Sequence, residues 1–266
     1  MNKKILCGFL AAAALFGSAA FTGCSSKSST PSELVAQSER MAGEMADMAE
    51  NSPMYLDSVS VAYADGTLNV AVTFADTIVD VEDYSDALIE YVVAYYIKQR
   101  PGQNLDTVLN TLSAENGSLK IPLANPKGDR KECTIGAARL KKLFFMKPSE
   151  LNPAQVKSDI ANIMEKRAEA YREAYKAENA EFAFEAGFAQ YELVFANASA
   201  YSNLTQDSLR GRYQNVLRAQ YDSYGECRGI IEGVLESLGI EGYRFVYTDK
   251  NDTKTLKAAL PWRIIQ

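Results

Sequence analysis

With 266 residues, no histidine and a formal net charge of −6, the chain lacks the basic footprint of nucleic-acid binding. The missing imidazole rules out Ser-His-Asp and Cys-His catalysis and removes the commonest transition-metal ligand. A hydrophobic content of 47% supplies a core for one large domain or two smaller ones.

Asn2-Lys3-Lys4 gives the chain a positive start, and Ile5 to Ala20 is an apolar stretch dominated by Ala, Leu and Phe. Phe21-Thr22-Gly23-Cys24 closes it with small residues before a cysteine, which suits cleavage between Gly23 and Cys24. A membrane-spanning helix needs about 20 predominantly apolar residues. This stretch is shorter and runs straight into a Ser/Lys/Thr/Pro tract. The layout resembles that of bacterial lipoproteins. The resemblance implies a signal peptide over residues 1–23 and a Cys24 that carries acyl chains, palmitate among them, on its sulfur and new N-terminus. It also implies an extracytoplasmic address with the membrane as first partner. Since Ser25 rather than Asp follows Cys24, it implies the outer membrane in a Gram-negative cell. Loss of Lys3 and Lys4 with the signal takes the charge from −6 to −8. Residues 24–31 are small and polar, a flexible tether.

An Ala/Met/Glu-rich helix is expected over residues 32–52, with Met41, Met45 and Met48 on one side. The first folded unit follows at 54–145. Val59, Val61 and Tyr63 alternate with small or polar residues, as do Leu68, Val70, Val72 and Phe74, a period of two that signals half-buried strands. Asp65-Gly66 supplies the hairpin turn between them. Ser85 is placed to cap a helix whose apolar positions include Leu88, Ile89, Val92, Val93 and Tyr96. Pro101-Gly102 breaks it, and Leu105, Val108, Leu109 and Leu112 stripe a second helix ended by Asn116-Gly117. A strand at Leu119 to Leu123 and a polar turn at Asn125 to Asp129 lead into the last strand.

Asn152 and Pro153 start a long amphipathic helix over 152–180, with Val156, Ile160, Ile163, Ala170 and Ala174 at helical spacing. It joins the first unit to a second at 181–264. There Ala189 to Asn197 reads like Leu68 to Asp76, and Gln206 to Leu209 follows at the same offset as Ser85 to Leu88. Val234 to Leu238 then matches Val108 to Leu112, Tyr243 to Tyr247 matches Leu119 to Leu123, and the Asp249 to Thr253 turn matches Asn125 to Asp129. The expected fold is α+β: two tandem strand-strand-helix-helix-strand-strand units joined by a long amphipathic helix. This layout is similar to small α+β repeat domains of unassigned function in bacterial lipoproteins. That resemblance carries no active-site residues.

Chemistry-bearing candidates are few. Cys133 and Cys227 are the two internal cysteines left after Cys7 and Cys24. An oxidising compartment allows them to bridge, and two buried thiols are the alternative. Glu82, Asp83 and Asp86 could serve carboxylate hydrolysis or simply favour a helix N-terminus. Asp249, Asn251 and Asp252 crowd one turn without the spacing of a calcium loop. Tyr91, Tyr95, Tyr213 and Tyr221 are candidate binding aromatics, because helical spacing sets some of them off the core stripe. Asp-Ser/Thr-apolar tripeptides such as Asp57-Ser58-Val59 and Asp207-Ser208-Leu209 are candidate O-glycan acceptors, or caps and strand ends. No glycine-rich phosphate loop precedes a helix, and no metal or cofactor is expected. Together these features point to a lipid-anchored extracytoplasmic binding or assembly protein without catalysis, its ligand a protein, peptide or glycan. The alternative is a carboxylate-dependent hydrolase with its site between the two repeats.

Overall fold

The computed structural model describes residues 56–75, 80–99, 114–222 and 227–265, positions 109, 111 and 112, and scattered positions between 35 and 50; side chains of 96–99 and 219–231 are not among them. The expected signal peptide and tether, Cys24, and Met41, Met45 and Met48 lie outside the described residues. The described positions between 35 and 50 are helical. Among the described residues no helix is long and apolar enough to cross a membrane.

The chain is α+β, with two four-stranded sheets. Strands β1 (Leu56–Ala64), β2 (Thr67–Phe74), β3 (Ser118–Ala124) and β4 (Arg130–Gly136) form the first, in that order. Strands β5 (Asn179–Glu185), β6 (Phe188–Phe195), β7 (Gly242–Asp249) and β8 (Thr255–Pro261) form the second. Each sheet is a hairpin, a parallel central pair and a second hairpin. A parallel neighbour needs a crossover. Helix α1 (Asp86–Gln99) lies within the first crossover, and α4 (Gln206–Asp222) with α5 (Cys227–Ser237) makes the second.

Local chemistry sets these elements. Both opening hairpins turn through two left-handed residues, Asp65 (φ 49°) with Gly66 (φ 74°) and Ala186 (φ 47°) with Gly187 (φ 79°), as two-residue hairpin loops demand. Ala186 pays about 1–2 kcal/mol for that conformation. Each second turn residue then accepts a bond from the start of the neighbouring parallel strand: Gly66 O from Ser118 N at 3.0 Å, and Gly187 O from Glu241 N, just before β7, at 2.7 Å. Ser85 caps α1 through Leu88 N at 3.0 Å. Thr205 caps α4 through Ser208 N at 3.1 Å, one residue ahead of the Gln206 that sequence alignment sets opposite Ser85.

Three differences from the expected order stand out. Helix α2 (Ala137–Phe145) follows β4, and α6 (Trp262–Ile265) follows β8, so each sheet is succeeded by a helix that alternation alone does not announce. Short 3-10 turns at Val81–Asp83 and Ala198–Tyr201 precede α1 and α4. The connecting helix α3 runs Pro153–Tyr175 and stops at Lys176 (φ 55°), short of residue 180. Its buried stripe is Val156, Asp159, Ile160, Ile163, Met164, Arg167, Ala168 and Tyr171. Ala174, expected in that stripe, is exposed, because the stripe drifts round the helix toward Ala168 and Tyr171. The first unit's second helix lies mostly outside the described residues, where Leu109 and Leu112 are helical and buried.

One hydrophobic cluster extends from Leu56 to Ile265 and takes in both sheets. Helix α3 packs on β5 and β6 as well as on α1, and α1 also meets α5. The two halves therefore share a core through their helices.

Candidate functional site

Three of the four candidate binding tyrosines are in the core. Tyr91 is buried on α1 with its hydroxyl 2.8 Å from Ser237 Oγ on α5. Tyr95, one turn on, lies against Gly233, where an added Cβ would stand 1.7 Å from the tyrosine hydroxyl. Tyr213 is buried on α4, stacked on Phe245 with centroids 3.5 Å apart and planes at 4°, and its hydroxyl meets that of Tyr247 at 2.9 Å. Burial pushes Tyr95 and Tyr247 up to about 12, and Tyr213 well above its ordinary value. These rings are interhelical and helix–sheet packing, which corrects the expectation of a binding patch. For Tyr91 and Tyr95 the physical reason is that α5 of the other half covers that side of α1, whereas Tyr213 faces Phe245 and Tyr247 of its own sheet. Tyr221 belongs to α4, and its side chain lies outside the described residues.

The acidic cluster is tied down by lysines. Lys166 Nζ, from α3, donates to Asp80 Oδ2 at 2.9 Å and to both Asp83 oxygens at 2.9 and 2.6 Å. Lys127, from the β3–β4 turn, reaches Asp80 Oδ1 at 2.9 Å. Hydrogen bonds from Lys127 and then Lys166 hold Asp80 down at about 2. Burial pulls Lys166 down, but Asp83 and Asp80 outweigh it and the net shift is upward. A carboxyl so stabilised in its ionised form is no general acid at neutral pH. Its role is to clamp the turn before α1 to α3 and to the β3–β4 turn. Glu82 and Asp86 are exposed beside it. Ser85, besides capping α1, donates to Asp159 Oδ2 at 2.5 Å, and Gln155 holds the other oxygen at 2.8 Å.

The clamp sets an acid limit. In the fold Asp80 stays ionised down to about pH 2, while its ordinary value is 3.8. A depressed pKa contributes stability that is complete above the unfolded value and lost as pH falls through the folded one. The thermal midpoint is therefore expected to drop between about pH 4 and pH 2 more steeply in the parent than in Asp80→Asn. With the Asp80 side chain 40% exposed, solvent screening limits the difference to about 1 kcal/mol or less. Melting curves of both proteins across that window check it.

Asp249 closes β7 and spends its oxygens on its own turn. Oδ1 accepts from Asn251 N at 2.9 Å and Thr253 N at 3.2 Å, and Oδ2 from Thr253 Oγ1 at 2.5 Å and Lys254 N at 3.0 Å. Asn125 does the same after β3, its Oδ1 accepting from Lys127 N and Asp129 N, both at 3.0 Å. Both are turn organisers rather than cation ligands. Cys133 is a free thiol buried in β4, pushed up to about 12 by burial and then by Asp86 and Glu90. Cys227 opens α5 with its side chain outside the described residues. Among the described residues no three His, Cys, Asp or Glu side chains gather as a metal site would require.

The surface feature that sequence reasoning missed is on α2. Phe145 is 80% exposed, against 40% for Val35, the other exposed large hydrophobic residue described. Lys141, Lys142 and Lys147 around it are exposed, while Leu140 and Leu143 are buried. The signal was the run Lys141-Lys142-Leu143-Phe144-Phe145-Met146-Lys147. Once it is helical, the i+3 and i+4 spacings put Phe145 beside Lys142 and Lys141, off the Leu140/Leu143 stripe. Comparison of the chain with protein-family models, curated proteins and solved structures finds no match in any of the three.

Proposed function

We propose that this chain is a lipid-anchored extracytoplasmic binding or assembly protein without catalytic activity, built from two copies of one strand-strand-helix-helix-strand-strand unit. The observation that carries the reading is how the chemistry-bearing side chains are used. Asp80, Asp83 and Lys166 neutralise one another, Asp159 is held by Ser85 and Gln155, Asp249 organises a turn, and Tyr91, Tyr95 and Tyr213 fill the core. Function then falls to the surface, and to a protein, peptide or glycan that meets it.

Duplication is supported by agreement between the sheets in strand order and pairing sense, by the two left-handed hairpin turns, and by a shared helix ending. In that ending Gly117 N bonds Leu112 O at 2.7 Å and Ile240 N bonds Leu235 O at 3.0 Å, after Asn116 and Gly239 in the left-handed region. Anchoring is supported by Phe21-Thr22-Gly23-Cys24 behind an apolar leader. Two or three acyl chains on one residue hold firmly, at about 0.8 kcal/mol per buried methylene. The test is fractionation with fatty-acid labelling. The parent protein is expected in the membrane pellet carrying label, and Cys24→Ala free of label. Equal labelling of both would overturn the anchor.

A further inference from the structure

The outer face of α2 combines two features that the rest of the described surface does not explain. From Ala137 to Lys147 the chain carries Arg139, Lys141, Lys142 and Lys147 and no acidic residue, in a protein of net charge −6. Arg139 is held by Glu90 through a forked pair of bonds, Nε at 2.9 Å and Nη2 at 2.5 Å to Oε2. The other three cations make no ion pair among the described residues. In their midst stands the 80%-exposed ring of Phe145, while Phe144 and Met146 on either side are partly buried against the core. The ring is thus held outward on a helix fixed from behind by Leu140, Leu143 and the Glu90 fork.

We infer that this face docks on an anionic lipid surface, with Phe145 entering the headgroup layer and Lys141, Lys142 and Lys147 meeting phosphates. A single outward aromatic ringed by lysines suits a membrane interface, where the ring lies at the headgroup boundary and lysine stems run along apolar surface to polar heads. Charge complementarity selects anionic lipid. An acidic protein would satisfy the lysines and leave the ring needing a pocket of its own. The inference rests on the proposed anchoring only in that Cys24 brings the domain to a membrane; docking there would orient it.

The test uses the chain from Ser25 to Gln266 without acyl groups, which retains the whole core between Leu56 and Ile265. It is sedimented with vesicles of phosphatidylcholine, alone or mixed with phosphatidylglycerol. Binding is expected to the mixed vesicles only, and to weaken as salt screens the charges. Lys141→Gln with Lys142→Gln is expected to weaken it about 25-fold, at about fivefold per lysine. Phe145→Ser is expected to weaken it about tenfold with no loss of thermal midpoint, and Lys250→Gln, far along the chain on the β7–β8 turn, to leave it unchanged. No binding to the mixed vesicles, binding that the α2 substitutions do not move, or retention on immobilised polyglutamate but not on vesicles would each overturn the inference; the last would assign the face to an acidic protein. Because the assay carries no acyl chain, its failure leaves the Cys24 anchor standing, and loss of the anchor leaves this result standing.

Discussion

Phe245→Ala should destabilise the protein by about 3–5 kcal/mol, the usual cost of deleting a buried aromatic ring. Phe245 is fully buried in β7. It stacks on Tyr213 of α4 at 3.5 Å and on Tyr191 of β6 at 5.7 Å, and meets Tyr171 of α3 edge-on at 6.2 Å. Deleting it removes the ring on which the sheet, the crossover helix and the connecting helix converge. Against a typical total of about 5–15 kcal/mol, that loss is a large share of the margin. Since one cluster spans both halves, the transition in urea should move as a single step. A first half that melts separately and unchanged would show that the halves are independent.

Gly242→Ala is expected to cost about 1–3 kcal/mol, at the upper end for overpacking. An added Cβ would stand 2.2 Å from Leu260 O and 2.6 Å from Pro261 Cα. Both are backbone atoms of β8, so no side chain can swing aside and the β7–β8 ladder must open. The first sheet carries its glycine on the other strand and shows no such crowding. There Ser118 pairs with Gly136, where Gly242 pairs with Pro261. Gly136→Ala meets nothing within 4 Å and serves as the control, with a midpoint near that of the parent. Thermal unfolding of both variants checks the contrast.

Much of this fold was legible because half-buried strands write their burial as alternation. Val59, Val61, Leu68, Val70, Val72 and Phe74 are all buried as their spacing implies. Asp65-Gly66, Ser85 and Asn152 act as turn and caps for the reasons that made them readable. Pairing was not legible, since alternation names the face of a strand and not its neighbour; the parallel β2–β3 and β6–β7 pairs had no sequence signal. Strand β7 also loses its alternation, because Val246 and Thr248 on its far face are buried as well. Ala186 in a left-handed turn is invisible where a glycine or asparagine would have announced it.

The candidate site fared differently. Helical spacing set some of the candidate tyrosines off the core stripe, but it could not show that α5 of the other half covers Tyr91 and Tyr95 through Ser237 and Gly233. The carboxylates at Glu82, Asp83 and Asp86 gave no hint of Lys166, more than 80 residues away in the chain. Helix α2 follows β4 with only Gly136 at its N-cap, and without that helix the exposure of Phe145 could not be deduced.

The most direct measurement of the central claim is the mass of the N-terminal peptide from protein extracted from cell membranes. A lipid-anchored chain should begin at Cys24, with acyl chains on its sulfur and amino group. A peptide that retains Met1 to Gly23, or a Cys24 with an unmodified thiol, would contradict it.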